Sequence, residues 1–274
     1  IPAAIIGAKI IDPKTGDLRL VLGPIFANIV LIDEINRASP KTQSALLEAM
    51  QERHVTIEGD THKLPDPFMV IATQNPWETE GVFPLPETQI DRFSLAISVS
   101  YPSPDVELSI LAKDHELKGL EPKIEPIISK EELLKAIAES SEIHVEEKIM
   151  KYIVEIVRKT REMPEIVLGV SPRTSVILLR TAKALAAIRG RKYVIPDDIK
   201  YLTPYVLWHR IKLSPRIASF ITPEEKYTKI VSMINDEVLG KVKVRSAVGV
   251  AAIRGTQFYV IDRPMETSVW VKEG

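Results

Sequence analysis

Asn28-Ile29-Val30-Leu31-Ile32-Asp33-Glu34-Ile35-Asn36-Arg37-Ala38-Ser39-Pro40-Lys41-Thr42-Gln43-Ser44-Ala45-Leu46-Leu47-Glu48 holds, in that order, a short apolar run, a pair of carboxylates and the opening of a helix. Ile29 to Ile32 is unbroken, with two isoleucines and a valine, which predicts a strand buried on both faces as in a parallel sheet. Asp33 and Glu34 stand at its carboxyl end, where open α/β sheets bind ligands. Ser39-Pro40 reads as a helix cap followed by proline at the first helical position, and Gln43, Leu46, Leu47 and Met50 carry the helical period.

Two carboxylates at the mouth of such a strand have a use in phosphoryl chemistry. One can hold a hydrated Mg²⁺, which prefers carboxylate and phosphate oxygens. The other can orient or deprotonate a water for in-line attack on phosphorus. The plain alternative is a solvated Asp-Glu pair in a loop, and the flanking residues have to decide between them.

Those flanks are Gly23-Pro24-Ile25-Phe26-Ala27-Asn28, Leu31 through Ala38, and Lys41 through Glu52. Together they closely resemble the MoxR family of AAA+ ATPases, and the likeness runs from about Ile5 to about Arg210. The resemblance implies that Asp33-Glu34 is the Walker B pair, with Asp33 on Mg²⁺ and the nucleotide and Glu34 polarising water. It also implies ATP and Mg²⁺ as cofactors, self-assembly into a ring (a hexamer), a protein client that is remodelled or matured in a chaperone-like way, and a cytoplasmic location.

Composition narrows the field further. The 274 residues suffice for one large or two ordinary domains with a real core. A net charge of −1, with both signs interspersed, does not favour a nucleic-acid or anionic-membrane partner. There is no cysteine, which excludes disulfides and thiolate metal sites. No apolar run approaches the roughly 18 residues of a membrane span, and no signal peptide, internal repeat or low-complexity tract is visible.

Taken in order, residues 5–11 and 18–22 predict two strands of a hairpin around the turn cluster Asp12 to Asp17. In the MoxR resemblance this is the insert that faces the pore of the ring; an ordinary surface hairpin is the alternative. His54 to Ile57 and Thr61 to Leu64, joined by Glu58-Gly59-Asp60, predict a second hairpin. There His54 and His62 could face one another as solvated or cross-strand residues, without a further ligand at metal spacing. Phe68 to Thr73 predicts a second buried strand, ended by Gln74-Asn75-Pro76. Asn before Pro is an ordinary turn. The resemblance makes Asn75 the sensor 1 residue, placed to bond the γ-phosphate and the attacking water.

A loop over 79–86 leads to a short helix over 87–93 and a strand over 95–99. Arg92 resembles the family's arginine finger, which acts on the neighbouring subunit's nucleotide; pairing with Asp91 or Glu87 is the alternative. An arginine suits the task because its planar fork matches phosphate oxygens and stays charged. Helices are predicted over 105–118, from the capping box Ser129/Glu132 to about Ser140, and over 145–161 with a core face of Ile149, Ile153, Ile156 and Val157. Two more run from Ser171-Pro172 to Ile188 and from Pro196 to Arg210, and another covers 223–239. Arg173 projects from a first helical turn, mildly against the helix dipole. In the resemblance it is the sensor 2 arginine that reaches the nucleotide from the lid; a surface arginine is the alternative. Residues 247–272 predict a β-meander with strands at 248–253, 256–261 and 267–271 and a turn at Pro264. It is weakly similar to a FecR-type β domain.

The expected fold is α/β: a partial AAA+ parallel-sheet core with inserted hairpins over 1–104, a linker helix region over 105–124, an α-helical lid over 125–240 and a β tail over 241–274. A P-loop, Gly-x-x-x-x-Gly-Lys-Ser/Thr, would be needed to cradle phosphates. None occurs here, Gly240-Lys241 being the one Gly-Lys pair. In the family the loop lies upstream of the first hairpin, so the resemblance implies an N-terminally truncated chain. Two other readings stay open. One is an AAA+ motor acting on nucleic acid, which would call for a basic pore loop, whereas the strands of the first hairpin carry one Lys and one Arg. The other is a catalytically inactive fragment or interaction module.

Overall fold

The computed structural model describes residues 2–14, 16–75, 80–99, 101–117, 125–219, Glu225, Lys229, 244–246, 249–251, 258–263 and 266–271. Two compact units emerge, one of Ile1–Phe93 with Ile128–Leu134 and one of Ser94–Ile127 with Lys135–Gly274. Among the described residues no helix is long and apolar enough to cross a membrane.

The first unit opens with a short helix α1 (Pro2–Ile6), then the antiparallel hairpin β1 (Gly7–Ile11) and β2 (Leu18–Leu22), with Gly7 opposite Leu22 and Ile11 opposite Leu18. The hairpin is the expected one, but its first strand begins at Gly7 rather than at Ile5. Gly7 makes the difference. At φ 103° it turns the chain from helix to strand, and a Cβ there would lie 2.3 Å from the Val21 carbonyl oxygen.

β3 (Ile29–Ile32) and β6 (Met69–Ala72) pair in parallel, Ile29 with Met69 through Ile32 with Ala72. Between them lie α2 (Pro40–Glu52) and the hairpin β4 (His54–Ile57) with β5 (Asp60–Lys63). The expectation of a strand buried on both faces is corrected. Val30, Ile32 and Val70 pack on a core that includes Ile25, Leu46 and Phe68. Ile29 and Leu31 are 64% and 68% exposed. The apolar run fits a parallel sheet, yet burial depends on what lies against each face, and here α2 and the second hairpin supply cover to one.

The facing of His54 and His62 is also corrected. β4 and β5 join through Glu58 (φ 47°) and Gly59 (φ 93°), a two-residue loop with both φ positive. That loop pairs Ile57 with Asp60, so His62 stands opposite Val55 and His54 opposite Lys63. The two imidazoles therefore point to opposite faces. His62 packs edge-on against Phe26 instead. The unit continues with α3 (Glu87–Ile90). The capping box forms as expected: Ser129 N donates to Glu132 Oε2 at 2.7 Å and Glu132 N to Ser129 Oγ at 3.1 Å.

The second unit contains α4 (Pro104–Leu117), the latter part of α5 (Lys130–Ser141), α6 (Glu147–Glu162), β7 (Ile166–Leu168), α7 (Pro172–Ile188), α8 (Pro196–Leu207), β8 (Lys212–Leu213) and α9 (Pro215–Ala218). Its core is the predicted face of α6 (Ile149, Ile153, Ile156, Val157) against Leu178, Ala182 and Ala186 of α7 and Ile199, Leu202 and Val206 of α8. The two alanines, both fully buried, let these helices approach closely. α8 stops at Leu207, short of Arg210, and a turn carries the chain on. The strand expected over 95–99 is absent. That segment bonds a helix instead, Ala96 N donating to the Tyr205 carbonyl and Trp208 Nε1 to the Ala96 carbonyl, both at 2.9 Å.

In the tail, β9 (Val244–Ser246) pairs with β10 (Gly249–Ala251), and β11 (Phe258–Arg263) with β12 (Glu266–Val271), both antiparallel. The described strands thus form two separate ladders rather than the three-stranded meander expected. The Pro264 turn, Gly240-Lys241 and, apart from Glu225 and Lys229, the helix expected over 223–239 lie outside the described residues.

Candidate functional site

The register that pairs Ile32 with Ala72 sets Asp33 beside Thr73 at the carboxyl end of the two strands. The ladder runs one step further on its backbone: Thr73 N donates to the Ile32 carbonyl at 2.9 Å, and Ile35 N to the Thr73 carbonyl at 3.0 Å. The chain then leaves the sheet abruptly. Glu34 adopts φ 49°, ψ 56°, and Ile35–Arg37 forms a single 3₁₀ turn. A non-glycine residue in the left-handed region costs about 1–2 kcal/mol and persists where its surroundings hold it.

Three groups do the holding. Ile35, 1% exposed, is anchored in a small core with Leu47 and Leu85. Gln43, 2% exposed on the inner face of α2, donates through Nε2 to the Ile35 carbonyl at 3.1 Å and to the Phe83 carbonyl at 2.8 Å. Thr73 Oγ1 accepts from Glu34 N at 2.9 Å and donates to Asp33 Oδ1 at 2.5 Å. Neither Gln43 nor Thr73 is singled out as a site residue by sequence reasoning. Gln43 had one signal, an amide on the apolar face of a helix; Thr73 had none, since a threonine ending a strand is unremarkable.

The carboxylates themselves remain accessible. Asp33 is exposed, and Glu34 is half-buried with Oε2 3.4 Å from Arg37 Nη1. Asn75, two residues beyond Thr73, is half-buried at the same strand end. Sequence-predicted Asp33 and Glu34 therefore sit at the end of one pair of strands, and Asn75 follows three residues after the second of them. Arg92 lies elsewhere in this unit. It follows α3 and donates through Nη1 to the Leu47 carbonyl of α2 at 3.0 Å, beside a cleft of about 340 Å³ lined by Ser44, Glu48, Glu52 and Gln89 among others.

Arg173 belongs to the second unit, exposed on the first turn of α7. The segment leading to it is clamped to the end of α6. Val170 N donates to Thr160 Oγ1 at 3.1 Å, and Arg161 Nε to the Val170 carbonyl at 2.9 Å. Gly169 sits so close that a Cβ would lie 2.7 Å from the Thr160 carbonyl oxygen. The base of α7 is thus fixed while the Arg173 side chain stays exposed.

Among the described residues no group of three or more His, Asp or Glu side chains gathers to hold a metal ion. The donors at Asp33 are oxygens, and one carboxylate oxygen is already steadied by the Thr73 hydroxyl. Such a set fits a hard divalent cation of the Mg²⁺ type, which takes one or two carboxylates and completes its shell with water and phosphate oxygens.

Residues 1–95 match the family described as ATPase family associated with various cellular activities (AAA), and residues 158–230 match the AAA lid domain. The chain is 47% identical over 252 residues to the uncharacterized protein YeaC of Bacillus subtilis, covering 90% of this chain and 76% of that protein. It is 41% identical over 244 residues to chaperone MoxR1 of Mycobacterium tuberculosis, covering 85% of this chain and 64% of that protein, so it spans less than two thirds of that relative's length. A solved structure from Cytophaga hutchinsonii superimposes with a TM-score of 0.78 at 36% identity, covering 90% of this chain and 75% of that one.

Proposed function

This chain belongs to the MoxR family of AAA+ ATPases, and from that membership we propose that its Asp33 and Glu34 serve ATP hydrolysis at the carboxyl end of β3 and β6, together with a phosphate-cradling loop that these 274 residues do not contain. The observation that carries the reading is the pair of accessible carboxylates, Asp33 and Glu34, fixed at a parallel strand end by a strained turn and a neighbouring hydroxyl. Asp33 would hold the Mg²⁺ that accompanies the nucleotide; the ion, when bound, offsets negative charge on the phosphate oxygens. Glu34 accepts a proton from the water that attacks the γ-phosphorus, while the bond from that phosphorus to the β-phosphate oxygen breaks. Asn75 orients that water through its side-chain amide.

Arg92 completes the site of a neighbouring copy in a ring, a hexamer in this reading. The bond from Arg92 to Leu47 leaves part of its five-donor guanidinium for such a contact. Arg173 couples the lid to the nucleotide. The work done is chaperone-like remodelling of a protein client in the cytoplasm, a reading supported by the likeness to chaperone MoxR1.

The test is Glu34→Gln in the full-length protein, with ATP binding and turnover measured together. Glutamine keeps the shape and cannot take the proton, so binding should persist while turnover falls by about 10²–10⁴-fold. Turnover equal to that of the parent would overturn the assignment.

A further inference from the structure

We infer that Thr73 is a positioning residue for both carboxylates, its hydroxyl fixing the rotation of Asp33 and the backbone turn at Glu34 together. The inference rests on the reading of Asp33 and Glu34 given above.

A threonine hydroxyl has one proton to give and two lone pairs to receive with. Here its direction is settled by its neighbours. A backbone N–H can only donate, so at Glu34 N the threonine oxygen is the acceptor, at 2.9 Å. The proton is therefore turned to Asp33 Oδ1, at 2.5 Å, in the range of a charge-assisted bond to a carboxylate. With Oδ1 engaged, Oδ2 is the oxygen left for a cation or for its water.

The Glu34 bond acts on the backbone. Glu34 sits in the left-handed region, and its amide sets the exit of the chain from β3. The links from the Thr73 main chain, to the Ile32 carbonyl and from Ile35 N, would survive in any residue but proline at this position. The two hydroxyl bonds would not. They span 40 and 39 residues of sequence and join the end of β6 to the turn that carries the carboxylates. Asp33 is exposed, so the bond does little for folding. Its effect falls on where the carboxylate points, and misplacement of a catalytic group by about 1 Å costs on the order of 10²-fold.

The experiment uses the full-length protein with Thr73→Val, which keeps the shape and removes the hydroxyl, and Thr73→Ser, which keeps the hydroxyl. Three quantities are read: turnover, ATP affinity by calorimetry with Mg²⁺ and with a chelator, and thermal stability. For Thr73→Val the expected result is turnover down by about 10–10²-fold. The gain in ATP affinity on adding Mg²⁺ should shrink, with affinity in chelator and the melting temperature close to the parent's. Thr73→Ser should restore turnover and the Mg²⁺ effect. Should the valine variant fail to fold, Thr73→Ala takes its place in the same comparison with serine.

Equal impairment of the serine and valine variants would overturn the inference, because the hydroxyl would then not be the active feature. So would a valine variant with parental turnover and Mg²⁺ dependence. Glu34→Gln, run in parallel, separates the two levels. If it loses turnover while Thr73→Val does not, the positioning role alone falls. If it keeps turnover, the reading of the site falls and the inference with it.

Discussion

Asp198 in the second unit is fully buried, and both of its oxygens are engaged. Oδ1 accepts from Arg189 Nη1 at 3.1 Å and Arg191 Nη2 at 2.5 Å, and Oδ2 from Arg191 Nη1 at 2.8 Å and Ile195 N at 3.0 Å. Asp33 in the first unit is exposed and receives one hydroxyl proton on one oxygen. The side chain is the same, and the surroundings decide what it does. A buried carboxylate is tolerable only when paired and fully hydrogen-bonded, and Asp198, so saturated, ties the start of α8 to the turn after α7. A carboxylate that keeps an oxygen for an outside partner has to stay near water, and it can then hold a cation.

Breaking the saturated member should produce the largest effect. Asp198→Asn leaves two arginines without their anion. Because Arg189 retains 41% side-chain exposure, the loss should lie near the low end for a broken buried pair, about 3 kcal/mol, measurable as a lower denaturant midpoint. A loss under about 1 kcal/mol, the range of exposed pairs, would break the comparison.

Tyr152 supplies a third state, a buried polar group with no partner for its hydroxyl among the described residues. Burial, with a smaller push from the Asp197 and Glu155 charges, drives its phenol well above the usual tyrosine range. The folded state therefore favours the neutral form. Its contribution is complete below about pH 10 and is lost as pH rises above that, because the unfolded chain ionises first. Tyr152→Phe should leave stability at pH 7 unchanged or raise it by about 1 kcal/mol, and the variant should lose less stability than the parent above about pH 10. Parallel pH curves would count against the raised phenol, and a loss of stability at pH 7 would count against a partnerless hydroxyl.

Arg37→Ala removes an ion pair to Glu34 whose two side chains are 56% and 37% exposed. Stability should change by no more than about 1 kcal/mol, as read from the same denaturation curves. Smaller still is the stability effect expected of Asp33→Asn, within about 0.5 kcal/mol; a loss comparable to that of Asp198→Asn would make Asp33 structural.

The same contrast explains what was legible in the sequence. Local signals read well. The Ser129/Glu132 capping box and the α6 core face are written in residues a few positions apart, and each forms as expected; the helix also starts at Pro40 after Ser39, although the Ser39 hydroxyl pairs with Thr42 Oγ1 at 3.0 Å and caps no helix N–H. Asp33 and Glu34 were legible because a strand end is a place in the fold that the apolar run itself marks.

What stayed hidden depends on partners distant in sequence. The exposed face of β3 follows from which elements lie against it. The segment over 95–99 alternates like a strand, but its Ala96 bonds α8, more than a hundred residues on. The His54/His62 offset turned on whether the loop holds two residues or three. Thr73 and Gln43 support the candidate site through bonds to positions 40 residues away, which no local pattern announces.

The most direct test of the central claim, that Asp33 holds the nucleotide's cation with its remaining oxygen, is calorimetry of ATP binding to the full-length protein and its Asp33→Asn variant, with Mg²⁺ and with a chelator. The account predicts equal affinities in chelator and a Mg²⁺-dependent gain that is present in the parent and largely lost in the variant. The same Mg²⁺-dependent gain in both proteins would contradict it.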